Sequence, residues 1–318
     1  MLVTTIIPVY NRAAMLRAAV ACVLAQTYRP IEIVIVDDGS TDDTFAVAEE
    51  LARRHPEIVV VHQANAGPGA ARESGRRIAR GELIQHLDSD DIILPRKFEL
   101  QVAGLAAHPE CGVSYGITCR RLADGSVAPQ PWGRTAERIE TMFPAMLRSR
   151  WWATITPLYR VSLLAAAGPW TNLRMEEDWE YDARIAALGV RLHFVEEVVA
   201  EQCSHNAGNL AGHGLRPDNL RYRAAAHESI FRSARRAGIT NDAPEMQHFA
   251  RELFLLARQA GAAGLTDESK RLFALAREAS APAGQLRVYG MVARLIGWRN
   301  AGRIATMSDH LRWRKSRS

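Results

Sequence analysis

The stretch GELIQHLDSDDIILP, residues 81–95, joins a short apolar run to a cluster of acids. The apolar run ends at Leu87, and three of the next four residues are aspartates: Asp88, Asp90 and Asp91. Like charges this close raise each other's pKa values unless a positive group lies between them. The stretch therefore predicts the end of a buried strand with a cation beside it.

This stretch belongs to a series in which short β-branched runs alternate with segments of helical period. Such alternation is typical of an α/β fold with a mainly parallel sheet and helices on both faces. Strands are predicted at residues 3–9, 31–36, 58–62 and 83–87. Helices are predicted at 13–24, from a cap at Ser40 or Thr41 to Arg54, and at 67–79.

Polar residues follow three of these strands. Tyr10 and Asn11 follow the first, Asp37 and Asp38 the second, and the aspartate cluster the fourth. The carboxyl ends of parallel strands share one edge of a sheet, where ligands of open α/β sheets bind. We therefore expect these side chains to lie near one another.

After residue 94 the alternation loosens. We predict a helix, a strand at 113–119, a turn at 123–126, a helix at 137–147, and then a loop, a helix ended by Gly189 and a further strand within 168–195. From residue 215 onward helical periodicity covers 217–237, 243–260, 266–280 and 284–297. The pattern predicts an α/β domain at 1–212 and a helical region at 213–318.

The composition indicates a soluble globular protein, with 47% hydrophobic and 24% charged residues. The four cysteines are scattered without a Cys-x-x-Cys pair, which argues against a zinc knuckle or a disulfide framework and fits a reducing cytoplasm. No basic leader and no apolar run near the ~18 residues of a spanning helix is present. We expect a cytoplasmic protein.

The basic residues are concentrated at the C-terminus. From Arg287 onward there are eight Arg or Lys residues and one acid, Asp309, and the net charge of the chain is +5. Apolar residues between Leu286 and Trp298 alternate with the arginines. This pattern fits peripheral contact with an anionic membrane face, or a packed helix with a solvated basic face. No recognised nucleic-acid module accompanies the charge, so no nucleic acid is expected as a partner.

Two acidic motifs each have a binding and a structural interpretation. Asp88 and Asp90 flank the small Ser89, so both carboxylates can turn toward one Mg²⁺ or Mn²⁺ ion, or they can cap the next helix. Asp37 and Asp38 can accept hydrogen bonds from a ribose or a base, or can form a turn.

Three further segments leave similar alternatives open. Arg72 can reach a base or a phosphate, or can be a surface arginine. One carboxylate among Glu176, Glu177 and Asp178 can serve as a general base, or all three can simply favour a helix N-terminus. His205 and His213 lie in a Gly- and Asn-rich loop, and such a histidine can be a metal ligand or a solvated side chain.

The segments TTIIPVYNR, IEIVIVDDGSTDDT, NAGPGAARESG, GELIQHLDSDDIILP and EEDWEYDARIAALG together resemble glycosyltransferase family 2, the inverting enzymes of GT-A fold. The resemblance covers roughly residues 1–210. It implies transfer of a sugar from a nucleotide-diphosphate sugar, typically a UDP-sugar, to a hydroxyl of a glycan or lipid-linked saccharide acceptor. The resemblance also implies Mn²⁺ or Mg²⁺ as the cofactor. It implies a role in the synthesis of cell-envelope polysaccharides.

The resemblance also assigns roles to individual residues. The nucleotide-binding set is Pro8, Val9, Tyr10, Arg12, Asp37, Asp38, Arg72, Asp88 and Ser89. The metal-binding set is Asp88, Asp90 and His205, and Asp178 is the general base. Glu73 departs from the family pattern, which often has Asn there. Acceptor contacts are expected from residues 130–152 and the helical region.

Two other functions are compatible with parts of the pattern. One is a catalytically inactive protein that binds glycans or nucleotides. The other is a sugar nucleotidyltransferase, although the segment PVYNRAAML lacks the Gly-rich basic loop that those enzymes have after the first strand.

Overall fold

A computed structural model describes residues 1–204, 215–281 and 284–315. The described residues fall into two compact units. The first contains residues 1–142 and 150–204, and the second contains residues 143–149 and the helices after residue 215. The predicted boundary between residues 212 and 213 lies outside the described residues.

Among the described residues, one sheet of nine strands forms the centre of the first unit. The strands are β1 Val3–Val9, β2 Ile31–Asp37, β3 Ile58–His62, β4 Leu83–His86, β5 Ile92–Ile93, β6 Cys111–Arg121, β7 Val127–Pro131, β8 Leu158–Arg160 and β9 Arg191–Cys203. Their order is β3-β2-β1-β4-β8-β6-β9-β5, with β7 paired to β6.

The helices described in this unit connect the strands or flank them. They are α1 Ala13–Leu24, α2 Thr44–Arg54, α3 Pro68–Ile78, α4 Lys97–Ala107, α5 Val161–Ala167 and α6 Glu177–Ala186. α2 begins later than predicted because Asp42 accepts a hydrogen bond from the backbone N–H of Thr44, at 2.9 Å, in a local turn ahead of the helix.

Strands β3, β2, β1 and β4 are all parallel, and both faces of this half of the sheet are covered. Ile7 on one face belongs to an apolar cluster with Val20 of α1 and Val47 of α2. On the other face, a Cβ built on Gly75 of α3 would lie only 2.5 Å from a methyl carbon of Ile6. The α/β fold class predicted from the sequence is confirmed.

The second half of the sheet is mixed. β8 pairs antiparallel with both β4 and β6, β6 pairs parallel with β9, and β9 pairs antiparallel with β5. The prediction of a helix at 137–147 is wrong, because only the short 3₁₀ turn Ala145–Leu147 forms there. Pro144 has no N–H to donate and disfavours helical backbone at the residue before it.

The first turn of α4 contains a buried lysine. Lys97 has no exposed surface, and its Nζ donates a hydrogen bond to the carbonyl oxygen of Thr156 at 2.6 Å. The same carbonyl accepts a bond from Nε2 of Gln101 at 3.1 Å. Burial lowers the pKa of Lys97 well below its ordinary value. These bonds attach α4 to the segment that leads into β8.

The second unit is helical throughout its described part. Its helices are α7 Pro217–Arg236, α8 Pro244–Ala262, α9 Thr266–Ala279, α10 Gly284–Ile296 and α11 Trp298–Lys315. Aromatic rings join the last four, with Tyr289 of α10 at 5.1 Å from Phe254 and 5.6 Å from Phe273, measured between ring centroids. Trp298 of α11 lies 5.2 Å from Phe273.

Candidate active site

The residues after β1 and β2 form one side of the site. Pro8 and Val9 are buried at the end of β1, while the ring of Tyr10 is exposed. The carbonyl oxygen of Val9 accepts a hydrogen bond from the N–H of Asp38 at 2.9 Å. The side-chain oxygen of Asn11 accepts one from the N–H of Thr41 at 2.8 Å. These bonds fix the two loops beside each other.

The carboxylate of Asp38 holds the loop that begins α3. It accepts hydrogen bonds from the N–H groups of Ala66 at 2.9 Å and Gly67 at 2.8 Å, and from Nε2 of Gln63 at 2.7 Å. Gly67 has a φ of +93°, a backbone conformation that favours glycine. These three bonds leave about one of the four acceptor positions of the carboxylate for a nucleotide.

Asp37 is fully buried beside Asp38. Its Oδ2 lies 2.8 Å from Nδ1 of His62 and accepts a bond from the N–H of Ser40 at 3.2 Å. Its Oδ1 is buried and has no hydrogen-bond partner among the described residues. A buried acceptor without a partner is uncommon and costs free energy, so this oxygen is a feature of the site to be explained.

Arg72 links the aspartate cluster to the start of α6. Its NH2 donates to Oδ1 of Asp88 at 2.7 Å, and its NH1 donates to Oε1 of Glu177 at 2.9 Å. The guanidinium carbon lies 4.9 Å from the ring centre of Trp170. Burial acts to lower the pKa of Arg72, but the charges of Asp88, Glu177 and Asp178 outweigh it and raise that pKa. Arg72 is a fixed cation at the centre of the site.

Each aspartate of the cluster contacts a different partner. Asp88 pairs with Arg72, and Asp90 forms an ion pair with Arg12 from the loop after β1. Oδ1 of Asp91 accepts a hydrogen bond from the N–H of Cys203, at the end of β9, at 2.8 Å. Burial raises the pKa of Asp91 well above its ordinary value, and the charge of Asp88 adds to the effect. Ser89 is buried between the two ion-paired acids.

Asp178 lies in the first turn of α6, after Glu176, whose φ of +59° is left-handed. Its Oδ2 forms an ion pair with NH1 of Arg150, and its Oδ1 accepts a hydrogen bond from the N–H of Trp179 at 2.7 Å. Arg150 also contacts Oδ2 of Asp182, at 3.3 Å from its Nε. One arginine therefore holds two carboxylates of the same helix.

Asp182 anchors this arrangement in the interior. It accepts hydrogen bonds from Nε1 of Trp152 at 3.1 Å and from the hydroxyl of Tyr159 at 2.8 Å. Burial raises the pKa of Asp182, although the charge of Arg150 opposes the shift. Arg150 is thereby attached to the sheet and can support Asp178 from a fixed position.

Comparison with known proteins matches residues 4–158 to the model described as Glycosyl transferase family 2. This part, just under half of the chain, is similar to a glycosyltransferase family 2 domain. An uncharacterized glycosyltransferase of Nostoc sp. is 45% identical over 118 residues, which are 37% of this chain and 37% of that relative. The chain thus matches well under two thirds of the relative's length.

Two solved structures resemble the whole chain in fold. Staphylococcus aureus TarS 1-349 in complex with UDP-GlcNAc is 19% identical with a TM-score of 0.69, covering 97% of this chain and 92% of that one. The mannosyltransferase PcManGT from Pyrobaculum calidifontis, in complex with GDP-Man and Mn²⁺, is 21% identical with a TM-score of 0.55, covering 97% and 86%. At these identities the likeness establishes the GT-A fold alone.

A divalent metal was also expected at this site. Within the described parts of the chain, no group of three or more His, Cys, Asp or Glu side chains is placed to hold a metal ion by itself. His205 lies outside the described residues. Asp88 and Asp90 nevertheless fit the chemistry, because Mg²⁺ commonly takes one or two carboxylates and completes its shell with substrate phosphates and water.

Glu73, the departure from the family 2 pattern, is turned along its own helix. It pairs with Arg76 at 2.8 Å and with Arg77 at 3.1 Å, and it accepts a hydrogen bond from the N–H of Trp170 at 3.3 Å. Its role in this structure is to attach α3 to the segment before α6.

Sequence reasoning did not single out Arg150, Trp170 or Asp182. Asp182 follows Asp178 by four residues and so shares its helix face, a spacing that could have identified it. Arg150 and Trp170 lie in irregular segments, where no periodicity indicates which way a side chain points. Only the folded arrangement brings them to the site.

Proposed function

We propose that this chain is a glycosyltransferase that moves a sugar from a nucleotide-diphosphate sugar to an acceptor hydroxyl, with inversion at the anomeric carbon. One observation carries the proposal. The guanidinium of Arg72 joins Asp88, of the D-x-D motif Asp88-Ser89-Asp90, to Glu177, of the Glu-Asp motif Glu177-Asp178. The two acidic motifs therefore meet at one site. This arrangement supplies fixed positive charge and a neighbouring carboxylate, Asp178, within a family 2 domain.

The proposed donor is a UDP-sugar. TarS, which shares the fold, has been solved with UDP-GlcNAc, and PcManGT with GDP-Man and Mn²⁺. In this chain Pro8, Val9 and Tyr10 would line the nucleotide pocket, and Asp37 and Asp38 would face the uracil and the ribose. The position of this pair at the carboxyl end of β2 supports such a role, because ligands of open α/β sheets bind at that edge.

Departure of the nucleotide diphosphate requires compensation of the negative charge that develops as the sugar C1–O bond breaks. Asp88 and Asp90 would hold a divalent cation, which when bound offsets part of that charge. Arg72 and Arg12 lie against the same two carboxylates and add fixed positive charge at this edge of the sheet. Arg72 is also bonded to Glu177, so its position does not depend on Asp88 alone, and a charge that is already held in place needs little reorganisation during the reaction.

Asp178 is the proposed general base. Its carboxylate would take the proton of the acceptor hydroxyl while that oxygen forms the new bond to C1 and the diphosphate leaves from the opposite side. The N–H of Trp179 and the guanidinium of Arg150 hold the carboxylate in one orientation. The acceptor, a glycan or a lipid-linked saccharide, would have to approach beside Arg150.

The test is turnover of a panel of UDP- and GDP-sugars with Mn²⁺, Mg²⁺ or EDTA and a mixture of glycan acceptors. We expect release of the nucleoside diphosphate with Mn²⁺ or Mg²⁺, and its loss with EDTA and in Asp90→Asn. The matched control, Asp124→Asn, changes an exposed carboxylate in the turn before β7 and should keep activity.

Other outcomes would contradict the proposal. Formation or cleavage of the nucleotide sugar with exchange of pyrophosphate would indicate a nucleotidyltransferase. Saturable binding of the nucleotide sugar without turnover under any metal condition would indicate an inactive binding protein.

A further inference from the structure

Helix α10 has two apolar faces, and only one of them is packed. Leu286, Tyr289 and Ala293 are buried within the second unit. A second row, at the helical spacing i, i+3, i+4 and i+7, faces solvent. It consists of Val288, Met291, Val292 and Leu295, and Leu295 is 84% exposed.

Helix α11 also exposes large apolar side chains. Ile304 and Met307 are 59% and 66% exposed. Seven of the fifteen exposed large hydrophobic side chains found in the described part of the chain lie between residues 288 and 307. We name residues 284–307 the apolar-basic segment. Clustering of this kind marks an interaction surface, whereas scattered exposed apolar residues do not.

The charge of the apolar-basic segment has one sign. It contains four arginines, which are Arg287, Arg294, Arg299 and Arg303, and all four are exposed. No aspartate or glutamate occurs between Glu278 and Asp309. None of the four arginines forms an ion pair with any acid whose side chain the structure describes.

The arginines of α10 lie along one border of the exposed apolar row. Arg287, Met291 and Arg294 follow one another at the spacings i, i+4 and i+7, which places them side by side on the helix surface. The alkyl part of an arginine can lie along an apolar surface while its guanidinium reaches a phosphate. This order of groups, apolar in the centre and cationic at the border, matches a bilayer interface with anionic headgroups.

We propose that the apolar-basic segment binds the surface of an anionic lipid bilayer, with the row Val288, Met291, Val292 and Leu295 inserted among the acyl chains and the arginines against the lipid phosphates. Within residues 1–204, 215–281 and 284–315, none of the helices combines the length and the hydropathy of a membrane span. A second copy of the chain is a poorer occupant. Two-fold pairing through this face would bring arginines against arginines without intervening acids.

The experiment is co-sedimentation of the full chain with vesicles of equal parts phosphatidylglycerol and phosphatidylcholine, and with vesicles of phosphatidylcholine alone. We expect strong binding to the mixed vesicles that weakens with added salt, and little binding to phosphatidylcholine. Met291→Glu/Leu295→Glu should abolish binding. Arg287→Gln/Arg294→Gln should lower the partition coefficient by about 30-fold, since each arginine near such a surface contributes about a factor of five.

The control is Leu188→Glu/Arg53→Gln, which changes an exposed leucine and an exposed arginine in the first unit and should leave vesicle binding unchanged. All six changed side chains are exposed, so the variants should fold, which circular dichroism checks.

Equal binding by wild type and both segment variants, or equal binding to the two kinds of vesicle, overturns the proposal. The proposal is also overturned if the wild-type chain binds no vesicles but associates with itself, and Met291→Glu/Leu295→Glu removes that self-association. The segment would then bind a second copy of the chain. Because the readout is sedimentation, its result is independent of the proposed transfer activity.

Discussion

At the scale of single residues, the arginines determine how the acids of the site are arranged. Arg72 contacts Asp88 and Glu177, Arg12 contacts Asp90, and the acids come from two separate motifs. A guanidinium can bond two carboxylates with a fixed geometry, which an ammonium group cannot do. The cation that the aspartate cluster requires is therefore supplied, at least in part, by the chain itself.

The role of Asp178 can be tested by Asp178→Asn. The amide has nearly the same shape but cannot accept the proton of an acceptor hydroxyl, so we expect sugar transfer to fall by about 10²-fold or more. Binding of the nucleotide sugar, measured by calorimetry, should be within a few-fold of wild type. Asp218→Asn, at an exposed position of α7, is the matched control and should transfer normally. Undiminished transfer by Asp178→Asn would remove this residue from the mechanism.

The sequence was sufficient to find the acids but not their partners. Asp88, Asp90 and Asp178 stand in motifs whose order along the chain is informative. Their partners are distant in sequence: Arg72 and Glu177 are 105 residues apart, and Arg150 precedes Asp178 by 28. Ion pairs of this kind depend on how segments pack, and no local periodicity reports that. Which residues read the nucleotide stays a prediction for the same reason.

At the scale of elements, the close approach of α3 to the sheet depends on Gly75. A Cβ at this position would lie 2.5 Å from a methyl carbon of Ile6 and 3.2 Å from one of Val36. Both residues are in central, fully buried strands, so neither has room to move. The packing of α3 therefore requires a residue without a side chain.

We predict that Gly75→Ala lowers the free energy of unfolding by about 1 to 2 kcal/mol. Overpacking costs about 1 to 3 kcal/mol, and the better helix propensity of alanine returns up to about 1 kcal/mol. Gly284→Ala is the control, because no described atom lies within 4 Å of its Cβ position, and its stability should stay within about 0.5 kcal/mol of wild type. Urea denaturation measures both. A Gly75→Ala protein as stable as the control would show that α3 can shift.

A second contact between elements should make stability depend on pH. Glu32 of β2 accepts hydrogen bonds from Thr4 Oγ1 at 2.6 Å and from the N–H of Arg80 at 2.9 Å. Burial acts to raise the pKa of Glu32, but these bonds and the Arg80 guanidinium outweigh it and lower that pKa below its ordinary value of 4.5. The folded state thus favours the ionised form.

We predict that Glu32→Gln lowers the unfolding free energy at pH 7 by about 1 to 2 kcal/mol, since the exposed Arg80 guanidinium adds little. The contribution of Glu32 is fully present above the pKa of the unfolded carboxyl and disappears as the pH falls through the lower folded pKa. The two unfolding curves should therefore converge in acid, whereas the exposed Glu49→Gln should match wild type at every pH. A constant difference down to low pH would contradict this account.

Local patterns predicted the regular elements well because those elements are locally encoded. β1, α1 and β3 begin and end at the predicted residues, since each is a short apolar or amphipathic run between clear breakers. The prediction of a helix at 137–147 was wrong because the composition of this segment suits a helix, but Pro144 interrupts it. A single residue without an N–H outweighed the periodicity of the others.

At the scale of the whole molecule, the alternating first half predicted the α/β class, because each parallel strand is followed by its own crossover helix. The mixed half of the sheet was harder to predict from the sequence. β8 enters between β4 and β6, and β6 pairs with β9 across about 80 residues of sequence, as Arg121 and Cys203 show. Pairings at such separations follow from the global packing of the chain and not from any one segment.

The buried lysine of α4 has a practical consequence for the whole chain. Its sequence contains 40 Arg and Lys residues, but only three of them are lysines: Lys97, Lys270 and Lys315. Lys270 is exposed, whereas the amine of Lys97 is enclosed and bonded to Thr156. Brief treatment with an acylating reagent should therefore modify Lys270 in the native protein and spare Lys97, as peptide mass spectrometry would reveal. Equal labelling of the two would mean that the first unit opens readily. If Lys97 is spared, the slow rate at which it becomes acylated measures how often the first unit opens.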